Sequence, residues 1–265
     1  MTTLATVFDP HHYDAGLGSV QFGPFAAELA ARLPIDPGGD VLEIAAGTGL
    51  LTTRLRERLH SARHLFATDL NARMLAFARE RLARFGGLTL QEADGMALPF
   101  ENGRFAAVAC GFGFMFMPDR QAALVEARRV LRSGGLLLFS VWDEIGTNPH
   151  ALANAQVVEG IFPNDRGMKF RTPYEMHDYE LLRGLLGAAR FKEQRIETRR
   201  IPINAADPRA IAAGQILGTP RAALIAERGI APEKVVDDVT AALLAAGGDP
   251  YHGHAQAVLV EAVGA

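Results

Sequence analysis

The residues best placed to do chemistry lie in and just after the stretch Asp40–Thr52, DVLEIAAGTGLLT. Apolar Val41, Leu42 and Ile44 enclose one acid, Glu43, and glycines follow at positions 47 and 49. Glycines where a strand breaks towards a helix let backbone N–H groups come close to whatever sits beyond the strand's carboxyl end. A second apolar run, HLFAT, ends at Asp69, about 20 residues past the loop, where a doubly wound fold places an acid to accept from ribose hydroxyls. A third, LTLQEA, leads to Asp94-Gly95-Met96, and a fourth, RFAAVAC, ends in Cys110-Gly111-Phe112.

Two ligand classes use this layout. A dinucleotide site wants G-x-G-x-x-G, because a pyrophosphate must settle on the helix N-terminus and the third glycine allows close helix packing. Here the run is Gly47-Thr48-Gly49-Leu50-Leu51-Thr52, and the third glycine is missing. The pattern instead resembles the E-x-x-x-G-x-G motif of class I S-adenosylmethionine (SAM) dependent methyltransferases. The blocks ATDLNARML, EADGMALPF, RFAAVACGFGFMFMPD and EARRVLRSGGLLLFSVWD are similar, in order, to those of the ubiquinone/menaquinone type (UbiE-like) small-molecule enzymes. The resemblance is strong over about Asp40–Asp143 and weak elsewhere.

That resemblance implies a set of cofactor contacts. Glu43, Ala45, Gly47, Thr48 and Gly49 would pass alongside the methionine moiety, and Asp69 would hold the ribose. Leu70 and Met74 follow the ribose acid, where adenine could rest on them, although core packing explains Met74 equally well. Asp94 would take the adenine amine, a donor that suits a carboxylate acceptor, with Gly95 and Met96 beside it; the alternative is that Asp94 starts a turn. Cys110 and Gly111 end the fourth strand at the floor of the reaction site. Family members often carry a larger polar residue where Gly111 stands, so the site is expected to be roomier or to lack one hydrogen bond.

The elements needed to position these residues are readable. The resembled fold is α/β: a Rossmann-like, doubly wound, seven-stranded sheet, its last strand antiparallel, with helical caps. Helices are expected over Leu50–His60, after the Asn71 N-cap, in PDRQAALVEARRVLRSGG up to the Gly134-Gly135 stop, and in MHDYELLRGLLGAARF. LLLFSVW is so apolar that it reads as a strand buried on both faces, ending at Trp142. KEQRIETRRIPI and HAQAVLVEAVGA supply the last two strands. The whole of 1–265 reads as one methyltransferase domain, with a cap at 1–35 and cap insertions at 144–176 and 205–250. Within those segments Phe22, Phe25 and Tyr13 are candidates to face a ligand, Tyr13 as a cofactor contact by resemblance. Phe22, Phe112, Trp142, His150 and Tyr174 are the candidate acceptor contacts; ordinary packing competes for the phenylalanines.

Composition narrows the function. The 265 residues carry 27 Lys+Arg against 30 Asp+Glu, a net charge of -3, with no basic block to track a phosphate backbone, so nucleic acid is disfavoured. One cysteine rules out an intrachain disulfide and fits a reducing compartment. The first residues show no secretory signal and no run approaches a membrane span, so a soluble, cytoplasmic protein is expected. His11/His12 and His252/His254 lack metal-ligand spacing and no Cys set accompanies them, so no metal is expected. No G-x-S-x-G elbow is present. The implied reaction is in-line methyl transfer from SAM, leaving S-adenosylhomocysteine, to a small-molecule acceptor at O, N or C, with no single residue acting as an indispensable base. A homodimer through 205–250 is one further expectation. The rival readings are a non-catalytic SAM- or nucleotide-binding subunit and an NAD-dependent oxidoreductase, the latter opposed by the missing glycine.

Overall fold

Apolar side chains on both faces of a strand force it to the middle of a sheet, and the chain follows this rule. A computed structural model describes residues 9–169 and 171–265, without the side chains of Ser19, Glu193, Gln194 and Ala205. It divides into two compact units. The larger, the sheet unit, joins Phe25–Asp143, Thr172–Arg199 and Ala257–Ala265; the other, the helical unit, takes the residues up to Pro24 with Glu144–Arg171 and Arg200–Gln256. The segments expected as caps thus fall largely in the helical unit.

The strands are β1 (Val41–Ile44), β2 (Leu65–Asp69), β3 (Leu88–Glu92), β4 (Phe105–Gly111), β5 (Leu131–Trp142), β6 (Phe191–Ala206) and β7 (Tyr251–Gly264). They form one sheet in the order β3-β2-β1-β4-β5-β7-β6. β3, β2, β1, β4 and β5 run parallel, and β7 pairs antiparallel with β5 from Leu136↔Val263 to Trp142↔Ala257. β1 and β4 lie innermost, and Val41, Leu42, Ala107, Val108 and Ala109 are fully buried. Each such large aliphatic side chain contributes roughly 1.5–3 kcal/mol.

Helices α2 (Gly23–Ala31), α3 (Leu50–Arg58), α4 (Ala72–Leu82), α5 (Arg120–Val130) and α7 (Tyr179–Ala188) accompany the sheet. Leu29, Leu33 and Leu55, all at 0% exposure, carry α2 and α3 into the core around Leu65 and Leu138. Side-chain oxygens start most of these helices: Asn71 Oδ1 accepts from Arg73 N at 3.0 Å, Asp119 Oδ1 from Ala122 N at 2.8 Å and Asp178 Oδ1 from Leu181 N at 2.8 Å. No side chain caps α3, whose N-cap is Gly49. At its other end buried Arg56 donates to the carbonyls of Leu59, His60, Arg63 and Gly87, fixing the return to β2.

The helical unit contains α1 (Pro10–Tyr13), a π-helical segment Asp14–Phe22, α6 (Pro149–Ile161), α8 (Pro208–Ile216), α9 (Arg221–Glu227) and α10 (Pro232–Gly247). The apolar faces of α8 and α10 are consumed inside it: Ile211, Ile216, Val235, Val236, Val239 and Leu243 are all buried. The π-helical segment meets α8 at a glycine crossing, where a Cβ on Gly16 would lie 2.1 Å from Ala210 O and 2.8 Å from Gly214 Cα.

Three boundaries depart from the periodicity. Tyr13 closes α1, and the π turns of Asp14–Phe22 lead straight into α2, a wider bonding that escapes a 3.6-residue search. α3 ends at Arg58, short of His60. α5 ends at Val130, and β5 begins at Leu131, ahead of the glycines. Leu131 pairs with Phe105 and Leu136 with Ala107, so Gly134, at φ +69°, and Gly135 lie in an irregularity inside the strand.

Candidate functional site

Strand order reverses between β1 and β4, so their carboxyl ends frame the crevice where open α/β sheets bind ligands. The backbone there is unusual in three consecutive turns. Ala45 leaves β1 at φ +58°, Gly47 follows at +56° and Gly49 at +82°; beyond β4, Phe112 adopts +56°. For a bulky residue such as Phe112 this conformation is costly, and cost of this kind concentrates at functional sites. Its N–H is held by Ser140 O at 3.0 Å.

Asp69 is the knot of the site. Its Oδ2 accepts from Gly47 N and its Oδ1 from Asn71 N, each at 2.8 Å. One carboxylate thus joins the β1–α3 loop to the start of α4, while its backbone carbonyl receives Ala93 N at 3.1 Å. Burial raises its pKa, against the two amides, which favour the charged form. Each oxygen keeps a further lone pair, which leaves room for two hydroxyl donors.

Glu43 stands inside β1 at 1% exposure, and its Oε2 has no hydrogen-bond partner within the protein. Burial pushes its pKa up to about 8, Thr52 on α3 opposes the shift and the charge of Asp69 adds to it. Thr48 is buried in the loop, and Thr68 Oγ1 donates to Glu43 O at 3.0 Å, locking β2 onto the base of the turn. A Cβ on Gly47 would meet nothing within 4 Å, whereas one on Gly49 would sit 3.0 Å from Leu82 Cδ1 and 3.3 Å from Ala78 Cβ. The first glycine therefore faces open space and the second lets α4 pack close.

Past β2 and β3 the remaining predicted contacts line up along the same strand ends. Leu70 is 61% exposed, an uncovered apolar side chain next to the acid, while Met74 is 7% exposed. Asp94 does start a turn: Oδ1 accepts from Met96 N at 2.8 Å and its carbonyl from Ala97 N at 3.0 Å. A Cβ on Gly95 would lie 2.6 Å from Met117 Cε and 3.0 Å from Ile44 Cγ2, so a larger residue there would displace the methionine end. Cys110 is fully buried; burial pushes its thiol up to about 12 against hydrogen bonds from the Gly113 and Phe114 amides. At Gly111 a Cβ would stand 3.1 Å from Leu51 Cδ2, so this position has little space on the side facing α3.

Aromatic rings gather at the ends of β4 and β5. Phe112 stacks on Trp142 with centroids 4.2 Å apart, Phe25 meets both edge-on at 5.6 and 5.7 Å, and Tyr174 lies over Trp142 at 6.3 Å and 27°. Tyr174 O is bonded to His177 Nδ1 at 2.7 Å.

Residues 41–135 match a sequence family described as a methyltransferase domain. The carboxylate-bridged glycine loop of the site lies at the start of the matched region. Over these residues the chain is similar to methyltransferase domains. The ubiquinone/menaquinone biosynthesis C-methyltransferase UbiE of Rhizobium johnstonii is 40% identical over 113 residues, 42% of this chain and 44% of that protein. Its counterpart in Allorhizobium ampelinum is 39% identical over 134 residues, 49% and 51% of the two chains. The chain thus spans about half the length of these curated relatives. Among solved structures, Haemonchus contortus phosphoethanolamine N-methyltransferase 2 superposes with a TM-score of 0.61 at 16% identity, over 96% of this chain and 56% of that one. The cyclase SpnF does so with 0.55 at 19%, over 93% and 80%. At these identities the structural likeness speaks for the fold.

The groups of the matched region fit SAM on their own geometry. Asp69 offers acceptors of the kind a ribose diol requires, Gly47 faces open space, and Glu43 keeps an oxygen without a partner. Three predicted contacts lie in the helical unit, outside this region. Tyr13 stacks on Phe22 at 5.3 Å and 17°. His150 is wholly buried with Nδ1 3.3 Å from His254 O, and burial lowers its pKa to about 4, so it is neutral at pH 7. Thr52 and Ser140, not marked by the motifs, brace Glu43 and, through the Ser140 carbonyl, Phe112; Asn71, expected as an N-cap, also donates its N–H to Asp69. Among the described residues no three His, Cys, Asp or Glu side chains cluster to hold a metal, and no helix is long and apolar enough to cross a membrane.

Proposed function

We propose that this protein transfers the methyl group of SAM to a small-molecule acceptor. The observation that carries the reading is the Asp69 carboxylate, bridging Gly47 N and Asn71 N at the strand-order reversal with acceptor capacity to spare. Glu43 and the loop Ala45–Gly49 would hold the methionine moiety and Asp69 the ribose. Leu70, Met74, Asp94 and the Gly95–Met96 backbone would hold adenine, with Cys110 and Gly111 as the floor. SAM, when bound, brings the activated methyl on its sulfonium. The chain's own task is then to orient and to exclude water, and orientation alone can supply up to about 7–11 kcal/mol.

The stacked Phe112, Trp142 and Tyr174 rings suit an acceptor with a flat or apolar body, and no residue is assigned as general base. The names of the UbiE relatives favour a carbon acceptor over oxygen or nitrogen. Titration calorimetry with SAM, S-adenosylhomocysteine and NAD tests the cofactor: the first two bind and NAD does not. Incubation with SAM and a metabolite extract, read by untargeted mass spectrometry, tests turnover. A product one CH2 heavier than its precursor supports the proposal. SAM binding with no methylated product from any extract would instead favour a SAM-binding subunit without turnover.

A further inference from the structure

A carboxyl group buried without a cationic partner is stable as the neutral acid, because desolvation of the anion is uncompensated. Glu43 is in that position. It is 1% exposed in the innermost part of the sheet, and Oε2 reaches no partner. The groups that act on it from each neighbouring element contribute no positive charge. From β2 comes Asp69, a second acid; from α3 comes Thr52, a hydroxyl and an amide; from β4 comes Cys110, a thiol that burial keeps protonated. No Lys, Arg or His is among them. The nearby loop, by contrast, is open: Gly47 has nothing within 4 Å of its Cβ position.

We propose that Glu43 is a proton-linked recognition group for the positive charge of the cofactor, holding a proton in the free protein and giving it up to solvent when a cation binds beside it. The inference rests on the SAM reading and adds to it the charge state of the site. The balance is simple: the Glu43 carboxylic acid loses its O–H proton to buffer, and the carboxylate then pairs with the ligand's cation. Two sources of that cation exist in SAM, the α-ammonium and the sulfonium; S-adenosylhomocysteine keeps only the first. The burial-driven rise of the Glu43 pKa to about 8 places the linkage in the neutral range.

Such a group makes binding pH-dependent. Below its pKa in the free protein, affinity should tighten about tenfold per pH unit, because each complex formed releases about one proton. The test is calorimetry of the full chain with SAM in buffers of different ionisation enthalpy, such as phosphate and Tris, from about pH 6 to about pH 7.5. The expected slope corresponds to about one proton released near neutrality in the wild type and none in Glu43→Gln. Asp69→Asn should retain release, which separates the two acids. Release with both SAM and S-adenosylhomocysteine assigns the α-ammonium; release with SAM alone assigns the sulfonium. SAM binding without proton release, or with release unchanged in Glu43→Gln, overturns the proposal while leaving the cofactor reading intact. Failure of SAM to bind at all overturns both. Should Glu43→Gln not fold, infrared difference spectra of the wild type decide: loss of a protonated-carboxyl C=O stretch on adding SAM is expected, and an unchanged band refutes the linkage.

Discussion

Asp69 does two jobs at once, and its substitution should show both. Removing the carboxylate strands the Gly47 and Asn71 amides and deletes the proposed ribose acceptor. Asp69→Ala should therefore weaken SAM by roughly 1.5–3 kcal/mol, about 10- to 150-fold, and lower stability by about 1–3 kcal/mol. Calorimetry and urea denaturation read the two separately; full SAM affinity in a folded variant would remove Asp69 from the site. Phe112 poses the opposite question, since its backbone is strained while its ring is stacked. Its positive φ costs on the order of 1–3 kcal/mol, but losing a buried Phe costs about 3–5 kcal/mol, so packing wins and both Ala and Gly destabilise. The order between them is diagnostic. Glycine is ordinarily worse than alanine by roughly 0.5–1 kcal/mol, yet here Phe112→Gly should equal or exceed Phe112→Ala in urea midpoint, because only glycine relieves the φ. Neither Phe112 nor Ala45 advertises a positive φ in the sequence. Such a conformation is imposed by the surrounding turn, and residue type alone announces it only at glycine.

At the level of elements, the β1–loop–α3 unit was legible because its parts follow local rules: an apolar run, glycines at the break, and an acid ending the next strand. The Asn71, Asp119 and Asp178 caps belong to the same category. The start of β5 and the π-helical segment did not yield to those rules. β5 starts early through a register irregularity opposite Phe105 and Ala107, a non-local pairing, and the π turns depend on the Gly16–Gly214 crossing with a helix almost 200 residues away in sequence. The two loop glycines, equivalent in the motif, separate in the structure. Gly47→Ala meets no atom and adds only the left-handed penalty of about 1 kcal/mol, whereas Gly49→Ala adds overpacking against Leu82 and Ala78, about 1–3 kcal/mol more. Melting temperature should thus fall clearly for Gly49→Ala and little for Gly47→Ala. SAM affinity should drop at least about tenfold in Gly47→Ala despite its stability, since the new methyl enters the ligand side. A Gly47→Ala protein with unchanged SAM affinity would mean the open space is not where the cofactor lies.

For the whole molecule, buried Glu43 in the sheet unit and buried His150 in the helical unit predict opposite responses to pH. In the sheet unit, the folded-state pKa of Glu43 is raised from 4.5 to about 8 by burial, and that of Asp69 is raised for the same reason. A raised acid contributes stability that is complete below its unfolded pKa and is lost as pH climbs through the folded one. In the helical unit, burial lowers His150 from 6.5 to about 4, so its contribution is present above 6.5 and is lost as pH falls towards 4. Asp165 and Glu159, lowered by hydrogen bonds from Arg228 and Arg171, also weaken that unit in acid, but only near and below the ordinary carboxylate range. From pH 6.5 to 8 these helical-unit groups keep their ionisation, and Glu43 dominates. The sheet unit should lose about 2 kcal/mol across that interval, at roughly 1.4 kcal/mol per pH unit, while the helical unit holds steady. From pH 6.5 to 5 the sign reverses, and the helical unit weakens. Trp142, the single tryptophan, sits in the sheet unit and reports its unfolding by fluorescence. Amide hydrogen exchange of α6 and α8, corrected for intrinsic rates, reports the other unit. A Trp142 urea midpoint that rises from pH 6.5 to 8 would show Glu43 to be ionised in the free protein. Saturating SAM should flatten the same midpoint's pH dependence, because the bound cation would keep Glu43 charged throughout the interval.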